Sequence, residues 1–91
     1  MGSIHLEVRG RVQGVGFRWY VVEKAQQLQL SGWVRNNSNG NVELVAAGPA
    51  DALTRLETAV RSGPRGARVD HVMTLAPPSA DGLPKPFEIA R

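Results

Sequence analysis

Between Gly10 and Arg18 the chain reads Gly-Arg-Val-Gln-Gly-Val-Gly-Phe-Arg, with three glycines and two arginines in nine residues. Glycines let successive main-chain N–H groups turn toward one point and form an anion nest. A helix starting directly behind such a loop adds unpaired N–H donors and the positive end of its dipole. An arginine in that first turn, here Arg18, can clamp an oxyanion through two parallel hydrogen bonds. The chemistry these residues suit is the holding of a phosphate group. Taken alone, they fit an ordinary turn followed by a solvated arginine at least as well. Two familiar phosphate motifs are also missing. A P-loop needs Gly-Lys-Ser/Thr, and a dinucleotide fingerprint running from Gly14 through Gly16 meets Trp19 where its third glycine belongs.

Other chemistry is poorly supplied. The 91 residues include no Cys, which excludes a cysteine nucleophile, a thiolate metal site and a disulfide scaffold. His5 and His71 are the two imidazoles, and neither stands at metal-ligand spacing from a partner. His5 is expected to face solvent and His71 to be structural. Ser31, Ser38 and Thr54 have no His beside them, so a serine-hydrolase site has little support. Trp19, Tyr20 and Trp33 are expected to be packing residues. The net charge is +3, and nine of the eleven basic residues are Arg. That balance favours anionic ligands without naming one.

The elements that must position this loop follow from the hydrophobic periods. Ile4, Leu6 and Val8 alternate with His5, Glu7 and Arg9, the period of a half-buried strand. From Phe17 the period lengthens: Phe17, Val21, Ala25 and Leu28, with Val22 beside them, form one face of a helix. Trp33–Arg35 reads as a short strand. Asn39-Gly40 signals a tight primed turn, and Val42, Leu44 and Ala46 mark the returning strand. Gly48-Pro49 opens a second helix, with Asp51 at its positive end and Leu53, Leu56 and Val60 as its buried stripe. Arg68–Leu75 reads as a further strand, although Val69 and Val72 cannot face the same side of a regular one. A proline-rich connection leads to a last short edge strand at Phe87–Ile89. The order β-α-β-β-α-β plus a terminal strand predicts an α+β sandwich: an antiparallel sheet with two helices on one face, residues 1–91 forming a single domain.

Gly10 to Arg18 resembles the signature of the acylphosphatases, and so does Gly32-Trp33-Val34-Arg35-Asn36 followed by Asn39-Gly40-Asn41-Val42. The two blocks have the family's order and separation. Gly48-Pro49, Gly63-Pro64 and Phe87-Glu88-Ile89 fit as well, so the resemblance spans nearly the whole chain. It implies a ferredoxin-like α/β sandwich. The implied activity is hydrolysis of the carboxyl-phosphate bond of acyl phosphates to a carboxylate and inorganic phosphate, with no metal or cofactor. By resemblance the catalytic arginine falls on Arg18 and the catalytic asparagine on Asn36, where the residues alone suggest only a hairpin asparagine bonding its own backbone. The phosphate-binding loop falls on Gln13, Gly14, Val15, Gly16 and Phe17, through their backbone amides. The sequence departs from some members at Gly16, where they carry an aromatic; a glycine there gives the loop more freedom.

Two other readings compete. A nucleic-acid-binding module shares this element order, but its sheet would display aromatics, and the outward residues here are His5, Glu7, Arg9, Glu43 and Val45. A noncatalytic acylphosphatase-like interaction domain, of the kind found inside larger maturation proteins, is the other. The expected partners are a small acyl phosphate and inorganic phosphate, without nucleic acid or membrane, and the expected form is a monomer. No apolar run approaches the ~18 residues of a membrane span, and the first residues lack the apolar core of a secretory leader. Cytoplasmic residence is expected.

Overall fold

A computed structural model of the chain describes residues 2–90. The elements run β1 (Gly2–Arg11), α1 (Phe17–Gln27), β2 (Ser31–Asn36), β3 (Val42–Gly48), α2 (Ala50–Ser62), β4 (Arg68–Leu75) and β5 (Glu88–Ile89). The five strands form one sheet in the order β4-β1-β3-β2-β5. Four pair antiparallel as expected, while β5 joins the outer edge of β2 in parallel, so the sheet is mixed. Both helices pack against one face. The alternation in β1 and β3 sends Leu6, Val8, Val42, Leu44 and Ala46 beneath them, against Phe17, Val21, Ala25, Leu53, Leu56 and Val60. Truncating a buried side chain as large as Phe17 costs about 3–5 kcal/mol, so this layer fixes where α1 begins.

Val69 and Val72 both pack on that core, contrary to the expectation from strict alternation. The ladder with β1 pairs Arg9 with His71 but Gly10 with Val69, so Asp70 is an extra residue on β4. Such a bulge resets the strand's faces. It also explains Gly10, where a Cβ would lie 2.1 Å from the Arg68 carbonyl oxygen. The hairpin differs from expectation too. Gly40 N–H donates to Asn37 O, Asn37 N–H donates to Asn41 O, and only Gly40 among these residues has positive φ. This is a three-residue loop whose last position is left-handed, rather than a two-residue primed turn.

The helix ends are less legible in the sequence. Gln29 takes the left-handed conformation after α1, and Leu30 N–H reaches back to Ala25 O, a Schellman-type stop without glycine. The buried Leu30 side chain accompanies it. On the face away from the helices, His5 is half-buried rather than solvent-facing. It bonds Glu43 through Nε2 and lies 3.4 Å from the Ala76 carbonyl through Nδ1. Trp33 lies on the same face under the Arg35 guanidinium, 5.0 Å from ring centroid to Cζ.

Candidate phosphate-binding site

Residues 12–16 span the gap between β1 and α1, and the gap is pinned at both ends. Val12 and Phe17 are each 1% exposed, so the loop is stretched between two buried side chains. Inside it Gly14 and Gly16 have φ of 75° and 78°, with nothing within 4 Å of where a Cβ would stand. Here the backbone conformation, not space, calls for glycine. Gly16 is the N-cap of α1, and no side chain caps that helix. Among the described residues, the main-chain N–H groups of residues 13–18 have no protein acceptor. The first turn of α1 contains no acidic residue, so its positive end is uncompensated.

Arg18 stands in that first turn, half-buried. It lines one end of a groove of about 540 Å³ between α1 and β5. Asn36 is the last residue of β2, exposed and paired with Val42 across the ladder. Two residues beyond buried Val34, it lies on the helix face of the sheet, the face that carries α1. No hydrogen bond joins the side chains of Arg18 and Asn36 among the described residues. What connects the two regions is Gln13. Its Nε2 donates to Asn37 O at 2.8 Å and Asn41 O at 2.9 Å, which straps the loop to the hairpin turn that follows Asn36. Sequence reading placed only the Gln13 amide in the site and missed this tether; no motif announces where a long polar side chain will reach.

The hairpin is fastened in turn to β1. Asn41 and Asn39 donate to the Glu7 carboxylate at 2.7 and 3.2 Å. The Asn41 bond, then the Asn39 bond, holds the Glu7 pKa below its ordinary value. For Glu43 burial pushes the pKa up, but hydrogen bonds from His5, Arg35 and Asn37 outweigh it and hold the carboxyl below its ordinary value. Trp19 departs from the expected packing role. It is 70% exposed, one residue from Arg18 and on the rim of the same groove. Tyr20 does pack, and its hydroxyl donates to Ala59 O at 2.9 Å, tying α1 to α2.

The fold is an α+β sandwich in which a loop with unpartnered amides leads into a helix start that carries a guanidinium. The acylphosphatase family model matches residues 4–89. An acylphosphatase of Nitratidesulfovibrio vulgaris is 52% identical over 83 residues, covering 90% of this chain and 83% of that protein. One of Koribacter versatilis is 55% identical over 65 residues; the match covers 71% of this chain and 59% of that relative's length. The crystal structure of acylphosphatase from Bacillus subtilis superposes with a TM-score of 0.92 at 37% identity, over the whole of both chains. The chain belongs to the acylphosphatase family, a family of hydrolases, and its fold is the ferredoxin-like sandwich of those neighbours.

Proposed function

We propose that this chain hydrolyses small acyl phosphates to a carboxylate and inorganic phosphate, with Arg18 and Asn36 as its catalytic side chains. The observation that carries the reading is the run of unpartnered amides over residues 13–18 at a helix end that holds a guanidinium and no acid. The amides of Gln13, Gly14, Val15, Gly16 and Phe17 hold the phosphoryl oxygens. Arg18 offsets their charge, as preorganised donors do in phosphoryl transfer. The water oxygen attacks phosphorus in line, and the bond from phosphorus to the bridging oxygen breaks. The electron pair leaves with the carboxylate.

A carboxylic acid has a pKa of ~4, so the leaving group departs without a proton. No general acid is needed, and the reaction as written needs no metal or cofactor. Asn36 aims the water through its side-chain amide; an amide does not take the proton at neutral pH. The water's proton goes to a phosphoryl oxygen of the substrate. Residues 1–91 act as one domain, as a cytoplasmic monomer, with inorganic phosphate as product and without nucleic acid or membrane. No helix of the described residues is long and apolar enough to cross a membrane. Against nucleic acid, the open sheet face has its indole, Trp33, already stacked by Arg35.

The test is phosphate release from benzoyl phosphate with a chelator present, for the parent and Asn36→Ala. The expected outcome is turnover by the parent. The variant loses kcat by about 10²-fold or more while inorganic phosphate inhibits it nearly as well as the parent. A parent that releases no phosphate, or a variant that matches it, overturns the assignment.

A further inference from the structure

An acyl phosphate has two halves, and the loop accounts for only one. Arg18, Val22 and Gln26 are spaced by four, so they form one row along α1, and all three line the groove against β5. The floor is apolar and fixed. Val22 and Phe87 are buried, and Gln26 Nε2 donates to Phe87 O at 2.9 Å, which locks the strand to the helix. Trp19 forms the outer wall. An indole is among the most favourable side chains to bury, yet this one is 70% exposed, on the groove that Arg18 also lines. Glu88 adds a carboxylate to the groove's lining, which disfavours an occupant with an anionic charge of its own.

We propose that this groove holds the acyl half of the substrate, with the Trp19 indole as its wall, and that the chain therefore favours acyl phosphates with a flat, uncharged, apolar acyl group. The inference rests on the reading of the loop and Arg18 as the phosphoryl site. With the phosphoryl group there, the groove leads away from Arg18 between the indole and the Pro86–Ile89 segment, with Gln26 and Glu88 as its polar lining. A ring lying against the indole gains both burial and offset stacking. A two-carbon acyl group is too short to gain either.

The test compares kcat/KM for benzoyl phosphate and acetyl phosphate in the parent, Trp19→Ala and Trp19→Phe. The expected result is a loss of about tenfold on benzoyl phosphate in Trp19→Ala, the scale of one aromatic contact. Acetyl phosphate should fall about twofold or less, and Trp19→Phe should recover most of the benzoyl rate. An equal fall on both substrates, or no fall on either, overturns the proposal. If the parent hydrolyses neither compound, the phosphoryl-site reading itself fails and takes this inference with it; a parent active on both whose preference ignores Trp19 sinks the inference alone.

Discussion

The two helices begin in opposite ways. Both follow a strand, α1 after the loop of residues 12–16 and α2 after Pro49 alone, and neither has a side-chain cap. α2 starts behind Pro49, whose extended backbone leads into a first turn containing Asp51. A negative charge there complements the helix dipole. α1 starts behind a left-handed Gly16, with no acid in its first turn and Arg18 placed where a cation is unfavourable. One terminus is arranged for its own stability. The other gives some up and gains a place where an anion would complete it. Local rules broken in one spot and obeyed in the equivalent one are what a binding site leaves in a fold.

Replacing the misplaced charge is the strongest way to break this comparison. Arg18→Gln is expected to lower kcat/KM for benzoyl phosphate by about 10³-fold or more, the scale of losing a principal charge-stabilising group. It should also abolish inhibition by phosphate. Because it removes a cation from a helix N-terminus, its thermal midpoint should equal the parent's or rise by a few degrees. A variant that loses activity because it has melted would show the reverse. Gln13→Ala comes next. It cuts the two bonds from loop to hairpin and leaves the Asn37 and Asn41 carbonyls without that donor. A loss of about 1–2 kcal/mol in stability and a several-fold rise in the phosphate inhibition constant are expected. Unfolding by urea and inhibition kinetics measure them.

Acid attacks the same strap from the other side. Glu7 and Glu43 have pKa values lowered by folding, so their contribution is complete above the ordinary carboxylate value of 4.5. It fades as pH falls from that value through the lower folded-state values, because the unfolded chain then binds the protons more readily. Urea midpoints should therefore drop below about pH 4.5, and Glu7→Gln should flatten part of that slope. The smallest effect belongs to the ordinary helix start. Asp51→Ala should lower the thermal midpoint by about 2–4 °C and leave kcat/KM within twofold of the parent.

Much of this was legible in the sequence, for reasons that differ by residue. The α+β order followed from periods of two and near four, which report which side chains the core takes. The Gly10 to Arg18 segment announced a loop with left-handed glycines, which Gly14 and Gly16 adopt, because glycine declares its conformation locally. Asn36 declared nothing by itself; only resemblance raised it above a hairpin residue. The Asp70 bulge was hidden because an extra residue in one strand is defined by its partner's register, which no single segment contains. The tether from Gln13 was invisible for a similar reason: its acceptors are carbonyls 24 and 28 residues away. The exposure of Trp19 was misjudged because hydrophobicity predicts burial, and a side chain beside a ligand site can be buried by the ligand instead.

A titration of the ¹⁵N-labelled protein with inorganic phosphate, followed by amide chemical shifts, tests the central claim most directly. Saturable shifts are expected at the amides of Gln13, Gly14, Val15, Gly16 and Phe17, with none of comparable size at the start of α2, and with the response lost in Arg18→Gln. Shifts centred elsewhere while the loop amides stay still, or an undiminished response in the Arg18 variant, would contradict it.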